Sequence, residues 1–230
     1  LFSPSDLVLV PDGGNEAGDF IEVAEKTILW VEFQVLGRQV HASRPDQGIN
    51  ACRVANELSV NLDRALRSAF PESDPLFEPA ISTFEPTRRL QNVANVNTVP
   101  GREVFALDCR VLPHVPVSEV EKVIAAEVRK VEDAYGAKVS HRFLQKGDPT
   151  PVTDPASPVV ELLTRSVQSV LGVSPRVGGI GGGTCAAFFR ANGIPAAVWA
   201  QETDTAHMPG EYALVEHMLN EARVFARMFA

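Results

Sequence analysis

Ile28-Leu-Trp-Val-Glu-Phe-Gln-Val-Leu36 is the stretch on which the fold turns. Leu29, Val31, Phe33 and Val35 alternate with Trp30, Glu32 and Gln34, and a period of two predicts a strand with one apolar and one more polar face. Beyond a loop from Gly37 to Gly48, the segment Asn50–Phe70 places Ala51, Val54, Ala55, Leu58, Leu62 and Leu66 three and four apart. That spacing predicts a helix, stopped by Pro71. Residues 71–78 are rich in Pro and acids and read as a loop. Ala80–Phe84 and Glu103–Leu112 read as strands, with Val96–Gly101 leading into the second. Ser118 with Glu121 three residues on has the form of a capping box. The helix it opens runs to about Tyr135 and ends at Gly136, a residue suited to a left-handed C-terminal position. Lys138–Leu144 is a further strand. The order from Ile28 to Leu144 is β-α-β-β-α-β, the split βαβ pattern of a small two-layer, ferredoxin-like α+β domain.

On the N-terminal side, Leu7–Val10 reads as a buried strand ended by a turn at Pro11-Asp-Gly-Gly14, and Phe20–Ala24 as a second extended segment. On the C-terminal side, the Pro-rich run Asp148–Pro155 reads as a hinge. Helix Ser157–Leu171, an extended pair Arg176-Val177, the glycine cluster Gly178–Gly183, helix Thr184–Ala191, strand Ile194–Trp199 and a last helix from about Glu211 follow it. This alternation is the grammar of a three-layer α/β domain. Its strands are few, and an open sheet that small leaves a long edge bare. Head and tail therefore read as two ends of one α/β domain, residues 1–25 and 148–230, interrupted by the α+β unit at 26–147. Much of the outer domain is expected to lie outside this chain.

Composition sets the outer bounds. The 230 residues carry 21 Lys and Arg against 29 Asp and Glu, a net charge of −8, with 45% apolar and 22% charged residues. That is enough apolar material for one large core or two small ones, and it excludes disordered, collagenous and coiled-coil chains. Apolar runs such as Ile194–Ala200 are far shorter than the roughly 20 residues of a membrane span. The acidic balance argues against nucleic acid as a partner. Cys52, Cys109 and Cys185 are odd in number and far apart, and they read as buried thiols in the reducing cytoplasm. The opening residues do not read as a signal peptide, and the chain does not begin with Met.

The five histidines form no HxH, HxD or HExxH arrangement, so no self-contained zinc motif appears. His207, in Asp204-Thr-Ala-His-Met-Pro-Gly-Glu211, lies in a polar loop just beyond a buried strand, where α/β sheets carry their chemistry. It reads either as a metal ligand or general base, or as a loop histidine without a role. Asp12 follows an apolar strand directly, and on its local sequence an ordinary Asp-Gly turn is the better explanation. The cluster Gly178–Thr184 ahead of a helix suits either a tight turn or an anion site, without the lysine of a P-loop. His41 stands between strand and loop with Arg38 and Arg44 near it. Arg110 and Asp108 share an apolar strand, either as a surface pair or with Arg110 free to bind an anion. Cys185 at a helix start has no histidine beside it in sequence, which argues against a thiol nucleophile.

Together these pieces are more specific than any one of them. Gly37-x-x-x-His41-Ala-Ser-x-Pro45-x-x-Gly48-x-Asn50-Ala51, Asn97-Thr-Val-Pro-Gly101, Asp108-Cys-Arg110, Gly182-Gly-Thr184 and Ala206-His207-x-Pro-x-Glu211 resemble, in the same order, the metallohydrolase family of succinyl-diaminopimelate desuccinylase, acetylornithine deacetylase, aminoacylase and carboxypeptidase G. The likeness covers essentially the whole chain. It implies a zinc-aminopeptidase-like α/β domain interrupted by a lid that also dimerises. By this resemblance Asp12 looks like the carboxylate ligand of one metal and His207 like the histidine ligand of the other. The pair of divalent ions would be zinc first, with cobalt or manganese as substitutes. His41 matches the lid histidine that reaches a neighbouring subunit's site and holds the scissile carbonyl oxygen. Asn97, Arg110, Gly183 and Thr184 match positions that grip the substrate.

The family also carries a His-x-Asp motif and an adjacent Glu-Glu pair, and this chain has neither. The expectation is a metal-dependent hydrolase of N-acyl amino acids or small peptides, nearest to the desuccinylases, acting as a cytoplasmic homodimer. It would be present as an incomplete chain, inactive alone, because it lacks the other ligands and the general base. The rival expectation is a binding or dimerisation module that kept the lid and lost the chemistry.

Overall fold

Residues 2–3, 5–206 and 208–230 are described in the computed structural model. In chain order the elements are β1 (Val8–Asn15), β2 (Phe20–Glu25), β3 (Thr27–Leu36), β4 (Val40–His41), α1 (Ala51–Ala69), β5 (Thr83–Arg89), β6 (Thr98–Val99), β7 (Arg102–Val111), α2 (Val117–Tyr135), β8 (Lys138–Lys146), α3 (Pro158–Leu171), β9 (Arg176–Ile180), α4 (Ala186–Ala191), β10 (Ala196–Gln201) and α5 (Val215–Met228). They divide into an outer unit, Leu1–Lys26 with Asp74–Ala80 and Thr150–Ala230, and an inner unit, Thr27–Ser73 with Ile81–Pro149.

The inner unit is built on β3. Its alternation is realised as burial: Leu29, Val31, Phe33 and Val35 are fully buried, whereas Trp30 is 40% exposed. β3 pairs antiparallel with β7 from Thr27↔Val111 to Leu36↔Arg102, and with β8 on its other side. The sheet order is β5-β7-β3-β8. Asn50 caps α1 by accepting from Arg53 N at 3.1 Å, and the predicted apolar stripe from Ala51 to Leu66 is its buried face. Phe33 stacks on Phe105 at 4.9 Å between ring centres. Each such fully buried side chain contributes about 1.5–3 kcal/mol, so the patterned strand and the patterned helix define one core.

Two expectations for this unit are corrected. The second helix starts at Val117 with Pro116 in the cap position, so Ser118 and Glu121 both lie inside the helix and form no capping box. Val117 and Val120 are buried, and packing recruits that turn, while Glu121 accepts from Lys146 Nζ at 2.6 Å. The strand expected at Ala80–Phe84 is instead Thr83–Arg89. Its last residues are polar and exposed, and its ladder to β7 slips between Pro86 and Arg88. Pro86 is tolerated because β5 is an edge strand.

In the outer unit the sheet order is β1-β10-β2-β9, with β1 parallel to β10, β10 antiparallel to β2 and β2 parallel to β9. Alternation along β10 sends Ala197 and Trp199 into a core with Ile21, Val23, Leu163 from α3 and Val224 from α5. Ala196 and Val198 face a second cluster with Val8, Val10, Ile194 and Ala186 from α4. Helices thus cover both faces of one sheet, the three-layer α/β architecture.

The expected turn at Pro11–Gly14 is instead a continuation of β1. The strand buckles there, because its pairing moves from Val10↔Val198 directly to Gly14↔Ala200. A side chain on Gly14 would begin 1.9 Å from the Ala200 carbonyl oxygen, so only glycine permits this approach. Gly178 and Gly179 belong to β9, not to a turn, and Gly179 leaves room for the Phe77 ring. The last helix begins at Val215, four residues after Glu211. Cys109 is buried as expected, Cys52 is half-buried and Cys185 is exposed. No described helix is long and apolar enough to cross a membrane.

Candidate functional site

In the inner unit, β4 and β6 form a small ribbon in which His41 pairs with Thr98. Ala42 N donates to the Asn97 carbonyl at 2.8 Å, so His41 and Asn97 are held side by side, both exposed. The ribbon is anchored by Gly37 N on Gly101 O at 2.8 Å and by the Arg38–Ile49 bridge. Ser43 N donates to His41 Nδ1 at 3.1 Å, and the Ser43 hydroxyl lies 2.7 Å from the same atom. An amide can only donate, so Nδ1 is an acceptor and the neutral ring carries its proton on Nε2. Arg110 lies on β7. Its Nε and Nη2 donate to Asp108 at 2.6 and 2.8 Å, and Asp108 also accepts from Trp30 Nε1 at 3.1 Å. The sequence left two readings for Arg110, and the surface pair with Asp108 is formed.

In the outer unit, Asp12 is exposed on the buckled part of β1. Gly14 N, two residues on, donates to Glu202 Oε1 at 2.9 Å. Glu202 borders a cavity of about 400 Å³ together with Pro11, Thr205, Glu211, Tyr212 and His217. His207, predicted from the same loop, lies outside the described residues. Gly183 is exposed in the turn before α4. Thr184 is tied down: its hydroxyl donates to Glu25 Oε1 at 2.5 Å and accepts from Ala186 N at 3.1 Å.

Sequence reasoning missed the most unusual group in this unit. Glu22, Glu25 and Arg190 are buried together, with Arg190 Nη1 3.0 Å from Glu22 Oε1 and 3.4 Å from Glu25 Oε1. Burial pushes the Glu22 carboxyl up to about 8; the Arg190 charge pulls it back, and Glu25 pushes it further up. The available signal was an acid within the apolar run Phe20–Ala24 and an arginine ending the apolar run Ala186–Phe189, since opposite charges in apolar segments need one another.

Among the described residues no group of three or more His, Cys, Asp or Glu side chains could hold a metal ion. A structural or catalytic zinc takes three or four protein ligands. The described residues therefore do not fit a metal site by themselves.

The peptidase dimerisation domain family matches residues 23–136. A metallohydrolase of Methanocaldococcus jannaschii is 36% identical over 234 residues, covering 98% of this chain and 57% of its own length. The succinyl-diaminopimelate desuccinylase of Phenylobacterium zucineum is 29% identical over 222 residues, covering 96% and 56%. The chain thus spans just over half the length of these relatives. Among solved structures, an M20 family metallo-carboxypeptidase from Sulfolobus solfataricus superposes with a TM-score of 0.73 at 17% identity, over 95% of this chain and 61% of that one. A tripeptidase from Staphylococcus aureus gives 0.74 at 18%, over 96% and 55%. These two likenesses speak for the fold. The domain match shows that the chain carries a peptidase dimerisation domain, and over nearly its whole length the chain is similar to metallohydrolases that include a succinyl-diaminopimelate desuccinylase.

Proposed function

We propose that the chain is part of a metal-dependent amidohydrolase that releases an acyl group from an N-acyl amino acid or small peptide, with a desuccinylase-like preference for acidic acyl chains. The observation that carries this reading is the His41 ring. Ser43 fixes Nδ1 as an acceptor, so Nε2–H is the free donor of an exposed imidazole beside Asn97. A preorganised N–H donor is what a carbonyl oxygen gathering negative charge needs. In this reading His41 supports the oxyanion, and Asn97, Arg110, Gly183 and Thr184 hold the substrate's carboxylate and backbone. Asp12 and His207 are the ligands this chain offers to two divalent ions, zinc foremost. The remaining ligands and the proton-shuttling base belong to polypeptide beyond this chain, which alone is inactive. In this reading residues 1–25 and 148–230 belong to the catalytic domain, and residues 26–147 form the lid that brings two copies together as a homodimer in the cytoplasm.

The test is His41→Ala in the full-length protein, assayed on N-succinyl- and N-acetyl-amino acids alongside metal content. The expected result is a fall in kcat of about 10²–10³-fold, the weight of one oxyanion donor, at unchanged metal stoichiometry. Unchanged turnover removes His41 from the mechanism. Absence of bound metal in the full-length protein overturns the hydrolase reading in favour of a binding or dimerisation module.

A further inference from the structure

Thr184 is among the residues assigned to the substrate, yet its hydroxyl is already engaged as a donor to Glu25 and as an acceptor from Ala186 N. Behind it the contacts continue inward. Arg190 Nη1 reaches both Glu25 and Glu22, Nη2 reaches the carbonyls of Glu22 and Ala196 at 3.4 and 3.2 Å, and Nε reaches Thr153 Oγ1 and the Ala196 carbonyl, each at 3.3 Å. The side chains of Arg190 and Glu22 are 1% exposed and that of Glu25 is 5% exposed. The far end is Glu22 Oε2, buried and without a hydrogen-bond partner among the described residues. It lies 3.9 Å from the point where a side chain on Gly13 would begin, and Gly13 follows Asp12. A single line of polar groups therefore runs across β2 from the backbone beside Asp12 to the turn before α4.

Stability alone does not explain such a line. Three ionisable groups taken out of water are costly, and well-packed apolar side chains of the same volume are commonly as stabilising. What an apolar cluster cannot provide is direction, and this one sends a hydrogen bond out to a particular hydroxyl. Arg190 is fixed by six acceptor contacts, Glu25 is fixed by Arg190, and Thr184 is fixed by Glu25.

We infer that Glu22, Glu25 and Arg190 are positioning residues that set the Gly181–Thr184 turn through the Thr184 hydroxyl, so that this turn meets an anionic substrate group with its main chain and not with that hydroxyl. The inference rests on the hydrolase reading for the identity of what the turn meets, but not for the turn's order.

The experiment uses the full-length protein and three variants: Thr184→Val, which keeps the volume and loses both hydrogen bonds; Thr184→Ser, which keeps the hydroxyl; and Glu25→Gln, which keeps an acceptor without the charge. Amide hydrogen exchange is followed in the peptide spanning 181–185, and KM and kcat are measured on N-succinyl-L,L-diaminopimelate and N-acetyl amino acids. Thr184→Val is expected to speed exchange there by roughly tenfold to a hundredfold, the weight of a hydrogen bond to a charged partner. KM should rise about tenfold, with a smaller change in kcat. Ser restores both, and Gln falls between. Wild-type exchange in Thr184→Val overturns the positioning role whatever the activity. Loosened exchange with unchanged KM overturns the substrate-facing part. If the wild-type protein hydrolyses none of the N-acyl substrates, the hydrolase reading fails, while the exchange result still decides the positioning role.

Discussion

Glu22→Gln replaces a buried carboxyl by a neutral group of the same shape, and its effect on stability has a sign and a pH window that follow from the surroundings of that carboxyl. Burial lifts Glu22 to about 8 from an ordinary 4.5, against the pull of Arg190. Below 4.5 the folded and unfolded chains both carry the proton, and no free energy is lost. Between 4.5 and 8 the folded chain holds one more proton than the unfolded chain, so stability falls as pH rises, by about 1.4 kcal/mol per unit. Above 8 both forms are ionised and the loss levels off at about 5 kcal/mol. Glutamine has no proton to lose and mimics the protonated acid, so the variant lacks this slope. Between pH 5 and pH 7 the stability difference between variant and wild type should shift by about 2 to 3 kcal/mol in favour of the variant.

Urea unfolding at pH 5, 6, 7 and 8 measures this, with fluorescence as the probe. The chain has two tryptophans. Trp199 is fully buried in the outer unit and donates to the Gly18 carbonyl at 2.9 Å. A Trp30→Phe background therefore makes the signal report that unit. Other titrating groups are common to both proteins and cancel in the difference. A difference that stays flat within about 0.5 kcal/mol from pH 5 to 8 refutes the reasoning: Glu22 would then be ionised throughout and bound to Arg190 as an ordinary ion pair.

Phe33→Ala removes a fully buried ring stacked on Phe105 and should cost the inner unit about 3–5 kcal/mol in urea unfolding; a loss under 1 kcal/mol would mean that this core is not close-packed. The thiols should separate by reactivity with a disulfide reagent at pH 8: Cys185 is exposed and reacts at once, whereas Cys109, buried and pushed up to about 12 by burial and by Asp108, stays unmodified until the inner unit unfolds.

What the sequence disclosed, and what it hid, follows from how far apart the determining contacts are. β3 and α1 were legible because burial and periodicity are the same fact seen twice: Leu29, Val31, Phe33 and Val35 alternate in the chain since they alternate across a sheet, and Ala51 to Leu66 recur at three and four since they share one helix face. The buckle in β1 was hidden because Pro11-Asp-Gly-Gly14 has turn composition, and only the Ala200 carbonyl on another strand shows why glycine stands there. Ser118 and Glu121 have capping-box spacing, but the burial of Val117 and Val120 outweighs a cap worth about 1 kcal/mol.

The candidate site divides along the same line. His41, Asn97 and Asp12 were singled out by the resemblance of their motifs to a known family, because their neighbours show only that each sits where a strand gives way to loop or buckle. The order of the Gly181–Thr184 turn was not legible, because it depends on Glu25, which lies 159 residues from Thr184, and on an arginine 168 residues from Glu22. Local sequence specifies the turn's composition; the buried charges specify its position. A relative that kept the glycines and lost the Glu22–Arg190–Glu25 group would therefore keep the motif without the geometry, and its turn should exchange as the Thr184→Val variant does.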